Sequence, residues 1–314
     1  MSKSKIAIIG AGNIALKHLE VLKKLKNISL VGITSRTKEK ALNLAKKFKI
    51  NNTYKNIQDL IIYSKPDAII ILVSPDQTFK ITKKIISYKI PFFVEKPAGL
   101  SMLQTKILAD LTKDNNISNM VGYNRRYYSV FHRGLSIIKK HGRLLSISIE
   151  GHERFWKVAD KLNKTLRSKW LYANSTHTID LLRFFAGEPK KVLSLKKCFK
   201  EKNGDIFNAI VEFSSGTIGN YSSSWYSPGG WSVQLFGEGV TVEFKPLECA
   251  IWKGTNFKEH KIYPDSKDKI YKAGFYKQMQ AFLFMLKTGK LEWPGQNLSN
   301  ILNTVKLTQT ISKH

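Results

Sequence analysis

Near its start the chain runs from the apolar segment Ile6-Ala7-Ile8-Ile9 directly into Gly10-Ala11-Gly12-Asn13-Ile14-Ala15. A short apolar run closed by glycine reads as a strand buried on both faces, and Ile14, Leu19, Val21, Leu22 and Leu25 then recur at helical spacing. A strand, a tight turn and a helix in that order give a lone GxGxxA pattern its meaning. Gly10 permits the turn, Gly12 lets backbone approach a phosphate, and the small Ala15 sits where helix meets strand. The helix N-terminus adds N–H donors and a favourable dipole. Gly10, Gly12, Asn13, Ile14 and Ala15 are therefore predicted to bind the pyrophosphate of a dinucleotide.

The alternation continues with strands over 29–34, 68–73, 92–94 and 119–122, separated by helical patterns over 38–48, 79–88 and 103–114. That order predicts βαβ units and a doubly wound parallel sheet. After Gly122 the pattern changes. Residues 133–140 and 178–185 read as helices, and 192–252 as period-2 strands such as Ala209-Ile210-Val211-Glu212-Phe213; helices return over 271–287 and 298–311. The expected fold is α/β: a Rossmann domain over 1–122, then a substrate-binding and oligomerisation α+β domain over 123–314. The second domain carries an open, largely antiparallel sheet, with the C-terminal helix near the domain junction.

The end of the second strand bears on the choice of nicotinamide. An acidic residue there holds a ribose 2′-hydroxyl, whereas arginine accommodates a 2′-phosphate. The chain reads Thr34-Ser35-Arg36, which favours NADP over NAD and leaves both open. Ser74-Pro75 and Glu95-Lys96-Pro97 end later parallel strands, at the edge where open α/β sheets bind ligands. Ser35, Arg36, Ser74, Pro75, Glu95 and Lys96 thus complete the expected cofactor-binding set. Lys96 would face the nicotinamide and hydrogen-bond a substrate hydroxyl or donate its proton; read by itself, a lone lysine is more often an exposed surface residue.

The net charge of +29 would by itself point to a polyanion. Its lysines are scattered, as in Lys23-Lys24, Lys83-Lys84 and Lys196-Lys197, and form no basic arm, so nucleic acid is not an expected partner. A surface habit of composition and a field that collects an anionic substrate both remain open. No run of about 20 apolar residues and no signal-type start occur, so a cytoplasmic location without membrane association is expected. Cys198 and Cys249 lack metal or disulfide spacing, and no metal site is expected.

Four motifs together carry a resemblance: Gly10-x-Gly12-x-x-Ala15, Glu95-Lys96-Pro97, Val121-Gly122-Tyr123-Asn124-Arg125-Arg126-Tyr127 and His177-Thr178-Ile179-Asp180. In order and spacing the chain resembles the Gfo/Idh/MocA oxidoreductases over essentially its whole length. The resemblance implies hydride transfer between NAD(P) and a carbon of a sugar, nucleotide sugar or cyclitol, in a homodimer or homotetramer. It implies catalytic roles for Lys96 and His177, histidine being suited to acid–base work near neutral pH. Tyr123, Asn124 and Arg125 are then candidates for contact with nicotinamide or substrate, and Arg125 or Arg126 for an anionic group. Asp180 is a candidate to bind substrate or orient His177, with a helix N-terminal carboxylate as the structural alternative. Many members carry Asp four residues before the histidine, where this chain has Ala173. Asn174 can orient a hydroxyl but cannot act as a carboxylate base. His152, Arg154, Trp156, Arg167 and Trp170 lie in a segment expected to approach the cleft, for binding or for packing. Reduction of a non-sugar carbonyl or imine-like substrate, or a catalytically impaired cofactor-binding protein, are the alternatives.

Overall fold

The computed structural model describes residues 3–313. They form two compact units, one of residues up to Asn124 with Ile270–Leu302, the other of Arg125–Lys269 with residues from Asn303 onward. The chain thus enters the first unit twice, which a single boundary at 122/123 does not describe. The reason is packing: Leu298 and Ile301 are buried in one core with Ile69, Phe92 and Val121. The Leu298 N–H also donates to the Asn119 side chain at 2.8 Å, and the Val121 N–H to the Gln296 carbonyl at 2.7 Å.

In the first unit, strands β1 (Ser4–Ile9), β2 (Ile28–Thr34), β3 (Thr53–Tyr54), β4 (Ala68–Ile71), β5 (Phe92–Glu95) and β6 (Asn119–Gly122) alternate with helices. The helices are α1 (Asn13–Leu22), α2 (Lys38–Phe48), α3 (Ile57–Ser64), α4 (Pro75–Ile86) and α5 (Met102–Asp114). The sheet order is β3-β2-β1-β4-β5-β6, with every neighbouring pair parallel. Such a sheet is covered on both faces, which is why β4 and β5 are apolar or buried at every position. Helix α3 is absent from the sequence-based expectation and starts on Asn56, whose side chain accepts the Asp59 N–H at 2.8 Å. All carboxyl strand ends lie on one edge, the edge where such sheets bind ligands.

The second unit opens with α6 (Ser129–His141) and β7 (Leu144–Gly151), then passes through short turns and α7 (Lys164–Ser168). A π-helical turn, Leu171–Ser175, leads into α8 (Thr176–Ala186), which is buried at every residue and packs on β7. Strands β8 (Pro189–Lys197), β9 (Ile206–Phe213), β10 (Ile218–Ser224), β11 (Trp231–Gly237), β12 (Val240–Phe244), β13 (Ala250–Gly254) and β14 (Glu259–Ile262) follow. The sheet order is β14-β13-β12-β11-β7-β10-β9-β8. Only β7 with β10 is parallel; the other pairs are antiparallel. Strands β8 and β9 show the expected alternation, burying Phe207 and Val211 while exposing Leu193, Leu195 and Ile210.

The remaining helices are α9 (Ser266–Ile270), α10 (Phe275–Thr288) and α11 (Ile301–Lys313). Helix α6 begins four residues before the expected 133, because the Ser129 N–H is held by the Asp268 carboxylate at 2.7 Å. Among the described residues no helix is long and apolar enough to cross a membrane. Nor does any group of three His, Cys, Asp or Glu side chains among them assemble as a metal site.

Candidate active site

The glycine turn between β1 and α1 is built around two different demands. Gly10 has φ +112°, and a Cβ there would lie 2.2 Å from the Leu72 carbonyl oxygen, so only glycine fits. A Cβ on Gly12 would meet nothing within 4 Å: the space over that residue is open. Helix α1 starts on Gly12 without a side-chain cap; the Ala15 N–H turns back to the Gly12 carbonyl at 3.0 Å, and the Asn13 and Ile14 N–H groups ahead of it suit an outside acceptor. Ala15 is fully buried. An open, uncapped helix start at the carboxyl edge of a parallel sheet fits a dinucleotide pyrophosphate.

At the end of β2, Thr34 is buried and its hydroxyl donates to the Tyr54 carbonyl, while Ser35 is half-buried and Arg36 exposed. Ser74 and Pro75 begin α4, next to Asp76. Burial would raise the Asp76 carboxyl, but hydrogen bonds with Ser74, Gln77 and its own backbone, with the Arg36 charge, hold it below its usual range. The Arg36 guanidinium therefore lies within electrostatic reach of α4.

Glu95 ends β5 as a buried carboxylate. One oxygen contacts His18 Nε2 at 2.7 Å, and the other accepts the Lys96 N–H at 3.1 Å. His18 is itself fully buried on α1, its ring 4.6 Å from that of Phe275. Gly122 pairs with Glu95 across the sheet, and a Cβ on it would press on the carboxylate at 3.0 Å. The motif glutamate thus ties the lysine-bearing strand end to the helix that carries the glycine turn. His18 was not among the residues singled out from sequence; its place one turn after Ala15 was the available signal.

Tyr123 and Asn124 are buried within the first unit. Tyr123 belongs to its apolar core, and the Asn124 amide donates to the Ala273 carbonyl at 3.0 Å. In this structure both pack the unit.

In the second unit a cavity of about 670 Å³ is bounded by Arg125, His152, Glu153, Arg154, Trp170, Asn174 and Trp231, with Lys157, Lys245 and Glu248 on its walls. That volume is ordinary for a small-molecule site. The Arg125 guanidinium stacks 4.3 Å from the Trp231 ring centroid, and the His177 ring lies 6.1 Å from the same indole. Gly229 lets the chain before Trp231 pass His152, whose Cβ a side chain there would meet at 2.8 Å. Buried Tyr128 donates to Glu248 at 3.2 Å, and burial pushes its hydroxyl up to about 12, so it stays a donor at neutral pH.

Of the segment expected near substrate, His152, Arg154 and Trp170 line this cavity, as do Arg125 and Asn174. Arg167 instead forks onto Glu201, at 3.0 and 2.7 Å, and Trp156 is 40% exposed. Asp180, 1% exposed, is engaged by Arg126 through Nε at 2.6 Å and Nη2 at 2.9 Å, and by the Thr304 hydroxyl at 2.7 Å. It therefore anchors α8 inside the unit. Glu153 and Trp231 went unnoticed in the sequence, although Glu153 sits between the two cavity residues His152 and Arg154.

A Rossmann sheet with an open, uncapped glycine turn, joined to an α+β unit bearing a cavity of charged and aromatic side chains, defines the class of nicotinamide-dependent oxidoreductases. Family models match both parts: an oxidoreductase family with NAD-binding Rossmann fold over residues 4–123, and the GFO/IDH/MocA C-terminal domain over residues 139–243. The chain belongs to the Gfo/Idh/MocA family of oxidoreductases. It is similar to glucose-6-phosphate 3-dehydrogenase of Bacillus subtilis, 31% identical over 52% of this chain and 44% of that protein. It is also similar to scyllo-inositol 2-dehydrogenase (NAD(+)) of the same organism, 22% identical over 91% of this chain and 87% of that protein. In fold it resembles an oxidoreductase from Agrobacterium radiobacter solved with NAD+, L-tartaric acid and magnesium: TM-score 0.81, 16% identity, covering 98% of this chain and 95% of that one.

Proposed function

We propose that the protein is an NADP-preferring oxidoreductase acting on a carbinol or carbonyl carbon of a sugar, nucleotide sugar or cyclitol. The observation that carries the reading is the open, uncapped start of α1 over Gly12, on the same sheet edge where Glu95 holds the backbone of Lys96. Gly10, Gly12, Asn13, Ile14 and Ala15 would hold the pyrophosphate, and Ser35, Arg36, Ser74 and Pro75 the adenosine half. When bound, the nicotinamide supplies the hydride donor or acceptor.

Lys96 hydrogen-bonds the hydroxyl of the reacting carbon and favours its oxygen as charge develops there. His177 takes that proton in the oxidative direction and returns it in the other. Arg36, exposed at the end of a strand with no carboxylate in its last residues, supports the preference for a 2′-phosphate. Arg125, Arg154, Lys157 and Lys245 around the cavity outnumber Glu153 and Glu248, which supports an anionic substrate such as a phosphorylated or nucleotide sugar. The relatives' names, a sugar phosphate and a cyclitol dehydrogenase, agree with that class.

The exposed Leu193, Leu195 and Ile210 on one face of the second sheet support self-association as a dimer or tetramer, read by light scattering. A cytoplasmic location, where free NADP(H) is at hand, belongs to the same reading. The test is fluorescence titration with NADPH and NADH, followed by turnover on a panel of sugars, sugar phosphates, nucleotide sugars and cyclitols. Tighter NADPH binding, and turnover abolished by Lys96→Ala and by His177→Ala, are expected. Failure to bind either cofactor, or full activity in both variants, would refute the reading.

A further inference from the structure

The buried face of α1 is apolar except at one point: beside Ala15, Leu19, Val21 and Leu22 stands His18, wholly out of solvent. Its Nε2 meets Glu95 Oε1 at 2.7 Å. An ionised carboxylate only accepts, so the ring donates there. Nδ1 has no hydrogen-bond partner, and the rings of Phe93 and Phe275 stand 5.2 and 4.6 Å from the imidazole. The one polar contact of this side chain is its grip on Glu95.

The other Glu95 oxygen accepts the Lys96 N–H at 3.1 Å. A single carboxylate therefore joins α1, whose first N–H groups lie open at the glycine turn, to the backbone of Lys96 at the end of β5. Strand β6 makes room for it: Gly122 pairs with Glu95, and a Cβ there would lie 3.0 Å from both Cδ and Oε2. Packing alone does not call for such a pair. Replacing buried charged and polar partners by apolar side chains of similar volume is often neutral or stabilising, so a leucine at position 18 would serve a helix that only had to pack. What histidine and glutamate add is a link of fixed length and direction between the phosphate-binding turn and Lys96.

We propose that His18 is a positioning residue for Lys96: by holding Glu95 it fixes the backbone at Lys96 in register with the start of α1, so that the lysine is set in place before substrate arrives. This rests on the oxidoreductase reading above, in which Lys96 acts on the reacting hydroxyl, and it adds a residue that touches neither substrate nor cofactor.

The experiment compares wild type with His18→Gln, His18→Asn and His18→Leu. Glutamine carries its amide nitrogen about as far from the backbone as Nε2 and can donate to Glu95; asparagine is as polar but too short. Without cofactor, exchange of the Lys96 amide proton, followed by NMR, should be at least about tenfold faster in His18→Asn and His18→Leu than in wild type or His18→Gln. On the sugar that wild type turns over fastest, kcat should fall about 10- to 100-fold in His18→Asn and His18→Leu, the effect of one hydrogen bond to a charged group. KM and the NADPH Kd should stay within about threefold, and His18→Gln should keep kcat within about fivefold of wild type. The glutamine and asparagine variants decide the matter by themselves if His18→Leu folds poorly. Equal kcat in those two, or Lys96 exchange in His18→Asn as slow as in wild type, would overturn the role of His18, while loss of turnover in Lys96→Ala would leave the enzyme reading standing. Full activity in Lys96→Ala would instead remove the reading on which this inference rests.

Discussion

Replacing Asp180 separates a structural from a substrate-binding role, because the two predict opposite signatures. Both partners are almost wholly buried, Arg126 at 4% and Asp180 at 1% exposure, and they meet in a two-pronged contact at 2.6 and 2.9 Å. Thr304 on α11 donates its hydroxyl to the same carboxylate at 2.7 Å, and the Thr304 oxygen in turn accepts a hydrogen bond from Arg183 Nη1 at 2.6 Å. Asp180→Ala would strand the Arg126 guanidinium without its counter-charge, at a cost of about 3–5 kcal/mol. For a unit of this size each kcal/mol lowers Tm by about 2–4 °C, so the expected fall is about 6–20 °C. Asp180→Asn, which keeps the shape but turns an amide toward the guanidinium, should fall in the same range. Calorimetry is the assay, since the two units need not melt together. At a temperature well below the new transition, kcat/KM of Asp180→Asn should remain within about threefold of wild type. A shift under about 2 °C accompanied by collapse of kcat/KM would refute the structural role and return Asp180 to the substrate.

Three further outcomes follow from local geometry. Gly10→Ala should fail to fold its first unit normally, because its Cβ collides with the Leu72 carbonyl at a positive φ, whereas Gly12→Ala should fold as wild type and weaken NADPH binding by about tenfold or more; equal circular dichroism with unchanged Kd for both would contradict this. Arg36→Ala should raise the NADPH Kd by about 10- to 100-fold while leaving that for NADH nearly unchanged, measured by the same fluorescence titration; a parallel loss for both cofactors would show that Arg36 does not read the 2′-phosphate. The Arg167 hydrogen bonds, against the pull of burial and with help from Tyr226, hold the Glu201 carboxyl below its ordinary value. A depressed carboxylate stabilises the fold above its unfolded value of about 4.3 and loses that contribution as pH falls through the lower folded value. Glu201→Gln should therefore lower Tm at pH 7 and converge on wild type in acid, and a gap that is the same at pH 7 and at pH 3 would refute it.

The first half of the chain is legible because its signals are local. A fully buried strand such as β4 needs a continuous apolar run, and a phosphate-binding turn needs its glycines next to each other, so residues a few positions apart suffice. The start of α6 and the membership of 270–302 in the first unit depend instead on contacts such as Asp268 with Ser129 and Leu298 with Asn119, made across more than a hundred residues. No periodicity records those. Tyr123 and Asn124 show the same limit inside a motif: their positions in the chain match the family pattern, yet Asn124 is spent on the Ala273 carbonyl. A motif preserves spacing along the chain, whereas chemistry depends on which atoms share a space. Ala173 and Glu153 state the difference most sharply. Read along the chain, Ala173 is a lost carboxylate and argues for impaired catalysis; read in space, the turn that carries it holds the carboxylate of a residue 20 positions earlier, through Asn174 and Ser175.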